Sequence, residues 1–212
     1  MTHPMCFFPR VAISFACSLA LAACGAAPAA RYHTLIAAES ARPAVPAAPF
    51  LIDLQPVGIP AQVDRLELVV RPGAGGIAIL EGERWVAPLP DEMRGALSAE
   101  LTRRLGAQDL AGLARPAGRA LLRIKVEIRR FDSLPGQYAL IEADWSLGLA
   151  DDPSAARLLC HSLLREPAGA DYASLVSAHQ RAIAALAAQI AQAAPGWAAV
   201  RRTDCPDQAA RP

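Results

Sequence analysis

Apolar and polar residues alternate along several stretches of the chain, and this alternation predicts β-strands. In residues 122–129, Leu122, Ile124, Val126 and Ile128 alternate with Arg123, Lys125, Glu127 and Arg129. A second alternating stretch occupies residues 139–149 and a third occupies 156–165, and turn-forming residues separate all three. The pattern therefore predicts three consecutive antiparallel strands joined by short turns.

Shorter alternating stretches precede these strands. Phe50–Val57 predicts one strand, and Arg65–Arg71 predicts another with Leu66, Leu68 and Val70 directed inward. The turn Pro72–Gly76 then leads into a returning apolar stretch, 77–80. Glycine-rich loops also bind nucleotide phosphates, but neither a helix nor a Gly-Lys-Ser/Thr sequence follows this one, which favours a hairpin.

Two stretches have helical spacing. In residues 91–105, apolar side chains recur every four residues after two acidic residues, and Gly106 is placed to end the helix. Asp171 is the expected N-cap of a second helix, and Pro195-Gly196 is expected to end it. This order of elements predicts an α+β fold, a two-layer sandwich in which a mostly antiparallel sheet is covered by two α-helices.

The N-terminus has the pattern of a secretory signal peptide. Arg10 precedes an apolar run, Val11–Ala20, that is too short for a permanent membrane span, and Leu21-Ala22-Ala23-Cys24 follows. The last four residues resemble the lipobox of bacterial lipoproteins, in which the cysteine is acylated and becomes the new N-terminus. The alternative is an ordinary signal cleaved at an Ala-x-Ala site, with Cys24 incidental, but the placement of the cysteine favours the lipobox.

These patterns divide the chain into four parts. Residues 1–23 are a predicted signal peptide, 24–49 a lipidated N-terminus with a short tether and edge strand, 50–200 the folded domain, and 201–212 an irregular tail. We expect the edge strand at Tyr32–Ile36, although the alanine and proline content leaves open that all of 25–49 is tether. Several acyl chains on Cys24 would anchor the domain stably, whereas one would not.

Charge and cysteine content restrict the partners and the compartment. The chain has 21 basic and 20 acidic residues, a balance that argues against a nucleic-acid partner. Of its five cysteines, two leave with the signal peptide and Cys24 would carry lipid. Cys160 and Cys205 remain, and in an oxidising compartment they predict a disulfide, with two free thiols as the alternative.

No catalytic or metal-binding pattern occurs in the sequence. The histidines of the processed chain (His33, His161 and His179) lack metal-ligand spacing, and there is no Gly-x-Ser-x-Gly sequence. His179 lies on the apolar stripe of the second helix, where a hydrogen-bonded core histidine is expected. We therefore predict a binding or assembly protein that is not an enzyme and has no cofactor or metal.

Several short sequences, taken in order, resemble the ABC-type transport auxiliary lipoprotein family (PqiC/YmbA-like). They are the lipobox at Cys24, Tyr32-His33-Thr34-Leu35, Pro56–Pro60 leading to Asp64-Arg65, Arg84–Leu89, Arg130-Phe131 and Ala143-Asp144-Trp145. The chain departs from the pattern at Ala61-Gln62-Val63, where an aromatic residue is expected before Asp64-Arg65.

The resemblance implies a non-enzymatic outer-membrane lipoprotein on the periplasmic face that docks with the periplasmic MCE-domain protein of an ABC lipid transport system and supports membrane integrity. Gly25 after the cysteine favours the outer membrane, by resemblance to the enterobacterial sorting rule. Phospholipid and a second copy of the chain are further possible partners. The alternatives are a structural envelope lipoprotein and a stand-alone lipid-binding lipoprotein.

Partner contacts are expected in loops that the predicted core does not use. These are the loop Gly58–Asp64, the turn Pro72–Gly76 and the segment Trp85–Pro90. Arg65 and Trp85 are the candidate contact residues, because arginine and tryptophan dominate interface energetics. The alternatives are that Trp85 fills the core and that Arg65 forms a structural ion pair.

Overall fold

A computed structural model describes residues 29–38, 45–73, 75–110, 112–114, 116, 118–151 and 156–206. The predicted signal peptide, Cys24 and the end of the predicted tail lie outside these residues. The described elements are, in chain order, β1 (Arg31–His33), β2 (Phe50–Leu54), β3 (Glu67–Val70), β4 (Ala78–Trp85), α1 (Leu89–Leu105), β5 (Ala120–Leu134), β6 (Tyr138–Leu149), β7 (Leu158–Pro167) and α2 (Tyr172–Val200).

The strands form two sheets packed against the helices, so the predicted α+β class is confirmed. The large sheet has the order β2-β5-β6-β7, and its last three strands are the predicted antiparallel series. The small sheet has the order β1-β4-β3. The sequence predicted one sheet, whereas β1 and β2 each pair in parallel with a strand far along the chain. Such distant pairings leave no trace in local alternation.

The main hydrophobic core of the described residues lies between the large sheet and the helices, and two smaller clusters accompany it. Its fully buried members come from the alternating side of β5 and the stripes of both helices: Leu122, Ile124, Val126, Met93, Leu97, Leu101, Ile183, Leu186 and Ile190. By length and composition alone α2 could cross a membrane. Twelve of its residues, however, are buried inside this domain, as in the core helix of a globular protein.

The helix ends follow the predicted signals with two exceptions. α1 begins at Leu89, two residues before the predicted start, because a proline is tolerated in the first turn of a helix. α1 ends at Gly106, which has φ 60° and donates its N–H to the Thr102 carbonyl, and Asp171 caps α2 by accepting the Ser174 N–H at 2.8 Å. The predicted stop at Pro195-Gly196 is wrong, because α2 continues to Val200. A proline removes one helical hydrogen bond. Burial of Trp197, directly after Pro195-Gly196, favours continuing the helix in spite of that loss.

Candidate docking surface and N-terminal clamp

A buried glutamate holds the strand that follows the predicted tether. Glu83 of β4 is 5% exposed, and its carboxylate bonds His33 Nε2 at 2.6 Å and accepts from Arg31 Nε at 2.7 Å. Burial raises the pKa of Glu83, but the bonds from His33 and Arg31 outweigh it and hold the pKa below its ordinary value. The carboxylate therefore stays charged at neutral pH.

A second buried glutamate holds the residues after β1. Glu92, in the first turn of α1, accepts hydrogen bonds from Thr34 Oγ1 and from the Leu35 N–H, both at 2.7 Å. Gln180 of α2 donates to the Thr34 carbonyl at 3.0 Å. We call residues 31–35 with Glu83 and Glu92 the N-terminal clamp. The edge strand predicted at Tyr32–Ile36 is present but shorter, and side chains rather than a strand partner hold its last residues.

Arg65 and Leu66, which directly follow the predicted loop Gly58–Asp64, meet the predicted segment Trp85–Pro90 at one end of the small sheet. The Trp85 N–H donates to the Leu66 carbonyl at 2.7 Å, and the Val86 N–H donates to the His33 carbonyl at 2.9 Å. These bonds place Leu66 beside Val86, with side chains 43% and 63% exposed. The prediction that Leu66 points inward is wrong, because the register of β3 with β4 shifts between Glu67 and Leu68 and breaks the alternation. We call Arg65, Leu66 and Val86 the docking surface. The turn Pro72–Gly76 lies at the opposite end of the β3–β4 hairpin.

Arg65 provides the charge of this surface. Its backbone N–H donates to the Val63 carbonyl at 2.9 Å, which fixes the turn that leads into β3. Its guanidinium forms no ion pair or side-chain hydrogen bond with any residue that the structure describes. The alternative of a structural ion pair therefore has no support within these residues.

Trp85 lies in the core, so the prediction that it contacts a partner directly needs correction. The residue is 3% exposed, and its ring meets Phe131 edge-on with centroids 6.3 Å apart. Trp85 occupies an inward position of β4, as Glu83 does, and packing against the large sheet fills the space around it. Its contribution to the docking surface is its backbone N–H, which fixes Leu66.

Phe131 also stacks on His179, the core histidine. The two rings are nearly parallel with centroids 4.0 Å apart, and His179 Nε2 bonds Ser133 Oγ at 2.8 Å. Burial lowers the pKa of His179 to about 3, against a smaller opposing effect of Asp132. The prediction of a hydrogen-bonded core histidine is confirmed.

Comparison with known proteins identifies the family. The family described as "ABC-type transport auxiliary lipoprotein component" matches residues 33–191. The chain belongs to this family. The matched part of this auxiliary lipoprotein begins in β1 and ends within α2, so it contains the docking surface and most of the N-terminal clamp. A transport auxiliary component is non-enzymatic in kind.

Two solved structures resemble the auxiliary lipoprotein in fold. An uncharacterized protein shares 19% identity with a TM-score of 0.60, over 77% of this chain and 97% of that one. A Xanthomonas campestris protein of family DUF330 shares 20% identity with a TM-score of 0.56, over 76% and 93% of the two chains. At such identities the likeness shows the fold alone. No curated protein matches the chain.

Cys160 and Cys205, which sequence analysis paired, lie together in the auxiliary lipoprotein. Cys160 is on β7 and Cys205 is in the segment after α2, with Cα atoms 5.6 Å apart and the sulfur atoms bonded. The spacing suits a disulfide. The oxidised state stays a prediction, and it would fasten the segment after α2 to the edge of the large sheet.

Proposed function

We propose that the chain is an outer-membrane lipoprotein, anchored by Cys24 on the periplasmic face, that docks with the MCE-domain protein of an ABC-type lipid transport system. In this role it would help to maintain membrane integrity. The docking surface carries the proposal, because it sets an arginine that has no ion-pair partner among the described residues beside two exposed aliphatic side chains. Arginine is among the residues that dominate the binding energy of protein interfaces, and apolar neighbours exclude water from its contacts.

The docking surface is also held in place before any partner arrives. Backbone hydrogen bonds fix Leu66 to Trp85 and Val86 to His33. A preformed surface loses little conformational entropy on binding, so more of its contact energy appears as affinity. The surface would favour a partner that offers a carboxylate beside an apolar patch.

The position of the docking surface relative to the predicted anchor supports a partner near the membrane. Val86 is bonded to His33, and only six residues separate Cys24 from Arg31. Covalent geometry limits the Cys24–Arg31 span to about 25 Å even when fully extended. If Cys24 is lipidated, the partner must reach close to the membrane surface.

Charge reversal at Arg65 tests the docking proposal. Arg65→Glu should weaken co-purification with the MCE-domain protein by about 30-fold, the effect of losing an interface hot spot of about 2 kcal/mol. Thermal stability should hardly change, because the side chain has no structural partner among the described residues. Arg202→Glu, a reversal at an exposed arginine after α2, is the matched control.

Each other outcome of this experiment has a definite meaning. Unchanged co-purification with intact folding would place the interface elsewhere. A loss of stability that matches the loss of co-purification would make Arg65 a structural residue.

The anchor is tested separately at Cys24. Cys24→Ala should leave an unprocessed precursor or a soluble protein, and globomycin should cause the precursor of the unaltered chain to accumulate. Palmitate labelling and separation of inner from outer membranes complete the test. If neither palmitate labelling nor globomycin sensitivity is seen, the lipoprotein assignment of Cys24 is wrong. Recovery of the protein in the inner membrane would refute the proposed location.

A further inference from the structure

A small pocket between the two sheets has a composition that the docking surface does not explain. It lies where the loop 60–63 meets the end of β3 and the last third of β5, and it has a volume of about 130 Å³. Three arginines, Arg71, Arg129 and Arg130, line it together with the apolar side chains Val63, Val69 and Ile77. We call it the arginine pocket.

A break in the strand pairing brings two of these arginines together. The register between β5 and β6 shifts between Ile128 and Arg130, so Arg129 has no partner in β6. Arg129 and Arg130 are therefore both exposed, between the buried Ile128 and Phe131. Such bulges redirect side chains and are frequent beside functional sites.

The third arginine comes from the small sheet. The Arg71 N–H donates to the Ser133 carbonyl of β5 at 2.8 Å, just after the end of β3. This bond joins the two sheets and places the Arg71 side chain next to Asp132, which accepts its Nε at 2.9 Å.

Neighbouring carboxylates use only part of the hydrogen-bonding capacity of the arginines. Asp132 also accepts from Arg130 at 2.6 Å, and Asp144 accepts from Arg129 Nε at 2.7 Å. Glu142 lies 3.6 Å from Arg130. Arg71 and Arg129 are thus engaged through Nε, and their terminal amino groups have no hydrogen-bond partner among the described residues. The pocket lining itself carries three cations and the single carboxylate of Asp132.

Apolar side chains continue outward from the pocket. Ile79 of β4 is directly opposite Val69 of β3, and Ile77, two positions before Ile79 and so on the same side of the strand, lines the pocket together with Val69. Ile77 and Ile79 are 53% and 49% exposed. A scattered exposed aliphatic residue is ordinary, but here a continuous apolar strip adjoins a group of guanidinium ions. That combination complements an anionic amphiphile rather than a simple anion.

We infer that the arginine pocket binds the phosphate group of a phospholipid, while the strip Ile77, Ile79 and Val69 receives the beginning of an acyl chain. Arg71 and Arg129 would donate their terminal N–H groups to the phosphate oxygens, a geometry that guanidinium favours. A volume of 130 Å³ corresponds to about ten water-sized positions, enough for a phosphate but not for a whole lipid. The assignment rests on the proposed transport function and names its lipid class.

Photo-crosslinking of the complete lipoprotein, purified in neutral maltoside detergent, tests this site. The probe is phosphatidylglycerol with a diazirine in one acyl chain, and adducts are located by mass spectrometry. We expect adducts at residues 77–79. Arg129→Gln should lower their yield about tenfold at subsaturating lipid, as expected for loss of one charged hydrogen bond. Arg71→Gln should lower the adduct yield in the same way. If Arg71→Gln folds poorly, Arg129→Gln alone tests the site, because Arg129 is exposed.

Control experiments distinguish the phosphate group of a phospholipid from free inorganic phosphate as the ligand of the pocket. Diacylglycerol with the same acyl chains lacks phosphate and should label at least tenfold less, and Arg104→Gln on α1 should label normally. Inorganic phosphate should compete only at far higher concentration than the lipid. Competition at equal concentration would make the pocket a free-phosphate site and overturn the lipid assignment.

Other results would overturn the site entirely. These are adducts located elsewhere, equal labelling by diacylglycerol, or full labelling of both arginine variants. If those variants label fully but lose co-purification with the MCE-domain protein, the pocket binds an acidic protein segment instead. The crosslinking assay contains no partner protein and leaves Arg65 intact, so its failure does not refute the docking proposal.

Discussion

Replacing Glu92 with alanine should release the N-terminal segment from α1. The Leu35 N–H is buried and would lose the acceptor that it has among the described residues, which costs about 1.5–3 kcal/mol for a bond to a charged group. Thr34 is exposed, so its hydroxyl can bond to water instead. Losing its hydrogen bond to Glu92 therefore adds at most about 1 kcal/mol. Removing the carboxylate also removes its own desolvation penalty. We therefore expect a loss of about 2–3 kcal/mol.

Thermal denaturation and hydrogen exchange measure this effect. For a domain of this size the loss corresponds to a fall in Tm of roughly 4–12 °C. Exchange of the Leu35 amide should accelerate more than exchange in the core strands. Glu92→Gln keeps one acceptor oxygen and should fall between the alanine variant and the unaltered chain.

The matched control is Asp91→Ala. Asp91 is exposed in the same turn of α1 and carries the same charge, so its replacement removes only the favourable helix-dipole interaction, about 0.3–1 kcal/mol. If Glu92→Ala shifts Tm no more than Asp91→Ala and leaves Leu35 protected, Glu92 does not hold the segment.

Three further predictions concern the backbone, pH and the disulfide. Gly106→Ala should destabilise the fold by about 2 kcal/mol or more in urea denaturation, because φ is +60° and the new Cβ would lie 2.3 Å from the Pro46 carbonyl oxygen. The pKa of about 3 for His179 lies below that of an unfolded histidine, so between these two pKa values the unfolded state binds more protons than the folded state. The free energy of unfolding therefore decreases as the pH is lowered below about 6.5. His179→Gln should remove a slope of up to about 1.4 kcal/mol per pH unit between pH 6 and 4.5. Unreduced exported protein should show no alkylatable thiol at Cys160 or Cys205, and reduction should lower stability by about 2–4 kcal/mol.

Each of these predictions has a control. Gly82→Ala adds a Cβ into open space without a positive φ and should be tolerated far better than Gly106→Ala. Ser177→Ala, which removes no titratable group from the same helix, should keep the pH slope. An unchanged slope in His179→Gln, or two alkylatable thiols in the unreduced protein, would contradict the corresponding prediction.

Local signals accounted for the helix positions and the antiparallel strands. The four-residue spacing from Met93 to Leu105 and the glycine after it account for the body and the end of α1 but not for its start at Leu89, and Asp171 marks the start of α2. Pro195 led to a wrong prediction of the end of α2, because the tendency of proline to end a helix was outweighed by the burial of Trp197 further along the helix. The division into two sheets depends on pairings between distant strands, which no local pattern encodes.

The candidate sites show the same limit. Arg65 was identified from its position after a loop, but the neighbour that completes its surface, Val86, comes from another part of the chain. Glu83 and Glu92 have binding roles only because the N-terminal segment returns to them. The arginine pocket does leave a local trace: Arg129 and Arg130 interrupt the strict alternation that precedes them, and a pair of consecutive polar residues within a strand is a signal of a bulge.

The parallel pairing of β1 with β4 determines how the domain would bear mechanical load. Tension from the predicted anchor enters at Arg31, the first residue of β1, whereas a partner at the docking surface holds the far end of β4 beside Val86. Parallel strands pulled from opposite ends are loaded in shear. The pairs Arg31–Glu83, Tyr32–Arg84 and His33–Trp85 must then yield together rather than one after another. Resistance to such pulling depends on the unfolding rate rather than on equilibrium stability. The short edge strand would thus act as a shear joint between the membrane and the partner.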